Sequence, residues 1–484
     1  MATSPWFWPL WWRVLILLNV SFYNFLGNAS AAGAPPLFSL IIDEFHISQQ
    51  DASQLSTYML LALGISNILA LPFISLFGKR YSILLSQIVF LAANIWSGEA
   101  ATYQALKGSR ILGGLAAGLI EAIGPRIVIE TFPEHQLASA MVVYVGFLAA
   151  GSAVGPIVAG AIAHGLHSWR WYMRILSIAI FCNTACSILM LPETNHVGHD
   201  EHRPSDADDD AFERQLEEKA EAVCREDQQI EAGNVVTLRD EYWQRSFTTR
   251  FAKLAWKTAL INLIRPFELI IAPQVLIVTL VFGVTIGWSV MVSILNASVY
   301  AQPPLLWNSL SIGALTTSSL IGLLIGLPIG GPFADYLSRR ATRRMDGRHQ
   351  QGSRLPAVLF GALVSPAGCL VYGYGFREPG QHWLQACVGW AMLSVGLTSS
   401  ANILLTYAVD CMPRRADHIG ALVNLTKNCI AFGVSYASIT WMEEMGPVKQ
   451  FAITAAILWA LYLCVIPMGF LSKTIIKKTA WLAE

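Results

Sequence analysis

One apolar stretch of this chain, residues 108 to 130, holds Arg110, Glu121, Arg126 and Glu130 among glycines, alanines and isoleucines. An ionised side chain at the centre of a bilayer costs about 2.5–3.5 kcal/mol even on insertion scales, so such residues tend to have a function. Arg110 and Glu121 stand eleven residues apart, about three helical turns, which puts them on one face ~16 Å apart along the axis. Glu121 is the deepest carboxylate in the sequence. Such a group can exchange a proton or hold a cation; alternatively it is an ion-paired packing residue. A nearby positive charge weakens proton binding by a carboxylate and burial strengthens it. Arg110 is therefore expected to tune the carboxylates near it.

Lys427 lies similarly deep in a later apolar stretch, between Asn424 and Asn428. It can contact substrate, or its long stem can snorkel to the interface. Asn24 and Asn28 in the first stretch, and Asn402 and Tyr407 in the tenth, are further candidate substrate contacts or interhelical glue. The cysteines, among them Cys182, Cys186, Cys369, Cys387, Cys429 and Cys464, fall mostly in apolar runs and show no metal-ligand spacing. No metal site, cofactor or enzyme activity is expected.

The elements that must position these residues are membrane spans. The chain is 54% hydrophobic and 13% charged, where a soluble protein carries about a quarter charged residues. Twelve stretches approach the ~20 residues that a bilayer core demands, at 14–40, 54–74, 82–103, 108–130, 138–163, 170–191, 270–294, 309–336, 355–376, 382–408, 417–440 and 449–471. The fold class expected is an all-α membrane protein of two six-helix bundles, at 14–191 and 269–472. A short amino terminus (1–13), a linker (192–268) and a tail (473–484) complete the chain.

Orientation follows from Lys and Arg in the short loops. One set of loops and the tail hold Lys79, Arg80, Arg339, Arg340, Arg343, Arg344, Arg348, Arg354, Arg414, Arg415, Lys473, Lys477 and Lys478, against only Lys107, Arg170, Arg377 and Lys449 in the other set. Both termini are expected in the cytoplasm. The linker is acidic from 193 to 241, with 16 acidic and 5 basic side chains, and then basic and aromatic from Tyr242 to Pro266. The acidic part reads as solvated and the basic part as an amphipathic helix on the inner leaflet. Asn296-Ala297-Ser298 is a glycosylation sequon on the expected outer side.

Two repeats tie the halves together. Leu71-Pro72-Phe73 through Gly78-Lys79-Arg80 reappears as Gly331-Pro332-Phe333 through Ser338-Arg339-Arg340, 260 residues later. Glu130-Thr131-Phe132-Pro133 is echoed by Asp410-Cys411-Met412-Pro413, 280 residues later. Paired membrane halves of this kind usually bind substrate between them. The stretch from Gly151 through Gly155 and Pro156 to Gly160 offers a bare face for close helix approach.

Together these motifs resemble the major facilitator superfamily, and within it the fungal twelve-span drug:proton antiporter branch, over nearly the whole chain. Gly78-Lys79-Arg80 is similar to that family's loop between spans two and three, and Arg110 to Gly118 to its span-four arginine motif. Gly151 to Gly160 is similar to its span-five antiporter motif; Trp169-Arg170-Trp171, Leu191-Pro192-Glu193-Thr194 and Arg265-Pro266-Phe267 resemble further landmarks. The resemblance implies cytoplasmic gating by Gly78, Lys79, Arg80, Glu130, Asp335, Arg339, Arg340 and Asp410, and proton coupling by Arg110. The first loop motif departs from the family at Leu71, Ser75 and Leu76, so Asp335 is expected to carry most of the latch and Ser75 only a hydrogen bond. Val142 replaces an upstream glycine of the span-five motif, with Gly146 as a partial substitute.

The expected function is a monomeric proton-coupled carrier of the plasma membrane, exporting an amphipathic organic compound such as a drug or secondary metabolite. Its partners are then a small organic substrate, protons and the lipid bilayer, with no nucleic acid. Uptake of an organic cation such as a polyamine is the alternative, and a sensor or scaffold that lost transport a distant third.

Overall fold

The computed structural model describes residues 8–132, 134–192, 256–333, 336, 340, 355–412 and 415–479. The acidic part of the linker, Asp335, Arg339 and the basic residues at 341–354 and 414 lie outside the described residues. Helices fill the fold, with no strand among the described residues. In hydrocarbon each backbone N–H and C=O needs an internal partner, and a helix provides one without help from its neighbours.

The first half comprises α1 (Leu10–Ala32), α2 (Phe38–Phe45), α3 (Gln49–Phe77), α4 (Lys79–Gly98), α5 (Tyr103–Thr131), α6 (Glu134–Leu166) and α7 (Arg170–Met190). After α8 (Trp256–Glu268), the second half comprises α9 (Pro273–Tyr300), α10 (Ser309–Pro328), α11 (Val358–Gly375), α12 (Trp383–Gly396), α13 (Asn402–Cys411), α14 (Ala416–Met445) and α15 (Pro447–Thr479). Starts are written locally. The Ser48 hydroxyl accepts from the Asp51 N–H (3.1 Å), Thr102 from Ala105 (3.2 Å) and Asn308 from Ser311 (2.8 Å), side-chain caps for orphan helix donors. Gly78 takes φ +78°, a left-handed conformation that suits glycine, and so links α3 to α4 as a single residue.

Among the described residues, eleven segments are long and apolar enough to cross a membrane. The predicted eleventh span, 417–440, falls outside that set but forms the 30-residue α14. Asp417, His418, Lys427, Glu443 and Glu444 lower its hydropathy. Three predicted spans are interrupted. The first stops at Ala32, and a single 3-10 turn at Pro35–Leu37 leads into α2, because two successive prolines remove donors and clash with the preceding turn. The eighth and tenth each pass into a π-type turn, at Ile329–Phe333 and Leu397–Ala401. The two turns meet where Gly330 lies against Thr398.

Each half has its own apolar core. One is built around Tyr23, Phe90, Ile120 and Tyr172, the other around Val281, Met291, Tyr300, Leu404 and Phe451. Polar side chains fasten helices within a bundle: the Asn19 amide donates to Asn183 Oδ1 (3.1 Å), Ser187 donates to Asn19 (2.7 Å), and Gln87 donates to Ser187 (2.8 Å), linking α1, α4 and α7. The halves meet along two seams, α3 with α14 and α6 with α10. Both termini, the α3–α4 junction and α8 share one end of the molecule. There Trp12 donates to the Met190 carbonyl, and Gln274 donates to Thr479.

Candidate functional site

The α3–α14 seam brings the deep charges together. Lys427 of α14 donates to Glu121 of α5 across the bundle boundary, and the two side chains are 7% and 3% exposed. The Asn67 amide of α3 donates to the second carboxylate oxygen at 3.1 Å and to the Leu63 carbonyl at 2.9 Å. Small residues make this approach possible. A Cβ at Gly64 would stand 2.8 Å from the Asn428 Cβ, one at Gly118 2.8 Å from the Ser66 Cβ, and one at Gly283 3.2 Å from the Lys427 Cα. The Tyr144 hydroxyl of α6 donates to the Ile120 carbonyl beside Glu121 at 3.0 Å. Of the two readings open in the sequence, the ion-paired one holds in this conformation. Removing one member of a buried pair costs about 3–5 kcal/mol, because an uncompensated charge stays behind.

Arg110 is not part of this constellation. Its guanidinium is buried and donates to the Ser30 hydroxyl (3.1 Å) and the Ser30 carbonyl (2.7 Å). Among the described residues no carboxylate lies within ion-pair reach of it. The spacing that sets Arg110 and Glu121 on one face does not bring them into contact, since three turns of helix still separate them.

The asparagine candidates divide. Asn28 donates to the Asn24 carbonyl (3.0 Å) and side-chain oxygen (3.1 Å), and Asn428 donates to the Asn424 carbonyl (2.9 Å). These are bonds within one helix. Asn67, which touches Glu121, is absent from the sequence-derived candidates; a buried amide in an apolar helix was the only signal for it. Asn402 opens α13, and its side chain lies outside the description. Tyr407 is packed in the second apolar core, so it is a core residue in this conformation. Asn296 is 4% exposed within α9 and accepts a hydrogen bond from the Tyr372 hydroxyl at 2.7 Å.

At the termini-bearing end a charge relay crosses the same seam. Buried Lys79 pairs with Glu130, Arg126 Nε contacts Glu130 at 3.2 Å, and Arg126 Nη1 contacts Asp417 of α14 at 2.8 Å. Arg80, also buried, donates to the Ile188 carbonyl at 3.1 Å. Lys79 and Arg80 therefore point inward instead of decorating a loop. Asp417 went unnoticed in the sequence because a carboxylate at a helix start is common. Arg340 is exposed, and Asp410 lies in the last turn of α13. Ser75 donates to the Pro72 carbonyl at 2.7 Å, a local bond within α3. At the opposite end the seam is shut by Gln50, which donates to the Tyr436 carbonyl at 2.7 Å, and by an edge-on pair of Tyr58 and Phe432 with centroids 5.6 Å apart.

The glycine motif serves two contacts. A Cβ at Gly155 would stand 2.7 Å from the Ala29 Cα, and one at Gly151 would strike Phe25 of α1. Gly160 instead abuts Ser309, and the Pro156 carbonyl abuts Gly313, both across the α6–α10 seam. Gly146 has nothing within 4 Å of the place a Cβ would occupy, so it forms no substitute contact for the glycine missing at Val142.

Comparison with known proteins agrees with this architecture. The family model described as the Major Facilitator Superfamily matches residues 18–436. The probable efflux pump mfs2 of Aspergillus flavus is 24% identical over 85% of this chain and 90% of its own length. The probable drug/proton antiporter YHK8 of Saccharomyces cerevisiae is 24% identical over 81% of this chain and 71% of its own length. A crystal structure of a POT family transporter in complex with a thioalcohol conjugated peptide superposes with a TM-score of 0.60 at 13% identity, over 96% of each chain. With a family match spanning both bundles and the seam between them, the chain belongs to the Major Facilitator Superfamily.

Proposed function

We propose that this secondary transporter exports an amphipathic organic compound from the cytoplasm in exchange for protons, with the Glu121–Lys427 pair as the coupling element. The observation that carries this reading is a buried ion pair joining the two bundles partway along the seam on which they must separate. When the halves rock apart, the pair breaks. Each bundle then holds an uncompensated charge in a low-dielectric setting, a costly state. A proton on Glu121, or a basic group of the substrate beside it, relieves the carboxylate's share of that cost. Only one of these occupies the carboxylate at a time, which is what exchange requires. The Arg126–Asp417 contact is then the cytoplasmic latch and Gln50 with Tyr58 and Phe432 the outer one. The loop-charge asymmetry supports cytoplasmic termini, and the plasma membrane is the proposed location.

The same pair speaks against polyamine uptake. A polycation calls for several carboxylates, whereas Glu121 stands beside the positive charge of Lys427. The efflux pump and drug/proton antiporter names of the relatives support export. Arg110, anchored to Ser30, is proposed to hold α5 against α1 while the bundles move. The experiment is transport of a fluorescent amphipathic dye by purified protein in liposomes with an imposed proton gradient. Gradient-driven transport should vanish in Glu121→Gln; transport that stays gradient-driven there rules the assignment out.

A further inference from the structure

The helix α8 sits where the linker rejoins the bundles, at the termini-bearing end of the α3–α14 seam. Its inward face is narrow: Ala259 is buried, and Leu263 packs against Ile68 and Leu71 of α3 together with Ala421 of α14. The helix α8 thus packs against both halves. Glu268, the last residue of α8, accepts from Arg415 at 3.4 Å just ahead of α14. The opposite face has no protein partner among the described residues. Leu260, Ile261, Ile264 and Phe267 are 59%, 46%, 53% and 44% exposed. Their spacing follows the helical period, so they form one stripe.

The stripe does not stand alone. On α3, against which α8 packs, Ile65, Leu69 and Phe73 are exposed in the same way, as is Leu276 of α9. Those side chains belong to apolar membrane-crossing segments, and lipid is what covers them. Arg265, beside the stripe, is exposed, and Lys257 precedes the stripe in the sequence. An apolar stripe bordered by basic side chains is the composition of a helix lying in a bilayer interface with anionic headgroups.

We infer that α8 is a membrane-operated strap: its outer stripe docks into the lipid leaflet at the termini-bearing end, and its inner face, gripping α3 and α14 together, holds that end of the seam closed. Anionic lipid draws the basic flank to the surface and so favours the closed arrangement. The inference does not rest on proton coupling or on the substrate, and survives if either is wrong.

The test uses the full chain, depleted of reactive cysteines, in nanodiscs of phosphatidylcholine with and without phosphatidylserine. A bimane label at Ile264→Cys should be quenched by lipid-borne bromine as strongly as one at the lipid-facing Leu69→Cys. A label quenched no more than one at Glu378→Cys, in an exposed loop, overturns the docking. Seam closure is read from cross-linking of Leu71→Cys with Ala421→Cys. The rate should rise about fivefold with phosphatidylserine, the effect of roughly one basic side chain held near an anionic surface. In Leu260→Glu/Ile264→Glu the rate should fall to the phosphatidylcholine level. Equal rates in the two lipids overturn the strap. That lipid comparison leaves the helix itself unchanged, so it decides the matter even where the double glutamate variant fails to fold.

Discussion

Replacing Glu121 by Gln strands the ammonium of Lys427 among apolar helices, where its side chain is 7% exposed. The expected loss of stability is about 3–5 kcal/mol, the usual cost of removing one partner from a buried pair. Lys427→Met strands the carboxylate instead, but Asn67 still donates to it at 3.1 Å. A hydrogen bond to a charged group contributes about 1.5–3 kcal/mol, so this variant should lose less. The double variant carries neither charge, and methionine follows the lysine stem closely in volume. It should lose less than either single variant, so the coupling from this one pair is at least the ~3–5 kcal/mol lost in Glu121→Gln. The assay is thermal unfolding of the purified protein in detergent, as a double-variant cycle. At roughly 2 °C per kcal/mol for a large chain, the Glu121→Gln midpoint falls by about 6–10 °C and most of that returns in the double variant. Losses that simply add, within about 0.5 kcal/mol, would refute the claim that the two charges are held against each other.

Other expectations concern the seams and the anchors. Gly64→Leu should leave the protein inserted but abolish dye transport, because the new side chain collides with α14 at Asn428; Gly146→Ala, with open space around it, should transport normally. Arg126→Asp should weaken the latch and Arg126→Asp/Asp417→Arg restore it, measured by the cross-linking rate of Leu71→Cys with Ala421→Cys. Since both side chains are about two-fifths exposed, the stability change should stay below about 1 kcal/mol. Asn296→Gln should leave electrophoretic mobility unchanged after expression in a glycosylating host, while Tyr372→Phe, which orphans the Asn296 oxygen, should cost about 1–3 kcal/mol in the same thermal assay.

Much of the architecture was legible because the bilayer imposes a single length scale. Apolar runs near twenty residues map onto α3 to α7, α9, α11 and α15 with shifts at their ends. The interruptions were less visible. A π-type turn such as Leu397–Ala401 adds one residue to a turn without changing composition, so hydropathy passes over it. The halves announced themselves through Pro-Phe and the basic pairs, since a loop that repeats in register implies a repeated bundle. Glu121 and Lys427 each stood out as a charge in the wrong solvent. Their partnership did not, because they lie 306 residues apart and nothing local in either segment names the other. Arg110 shows the converse: a shared helix face says nothing about reach, and its partner Ser30 belongs to another helix.

At Gly160 and Ser309, and again at Gly64 beside Asn428, the two lobes touch along main chain or first side-chain carbons, without interlocking long side chains. Contacts of this kind behave as smooth bearings: one lobe can pivot on the other by small tilts, with no rotamer having to climb out of a socket. The pivot line is then set by four helices, and the ionic contacts at its middle and its termini-bearing end become detents that decide where the motion pauses. A bulkier residue on either bearing should jam the pivot while leaving each lobe intact, which separates loss of movement from loss of fold.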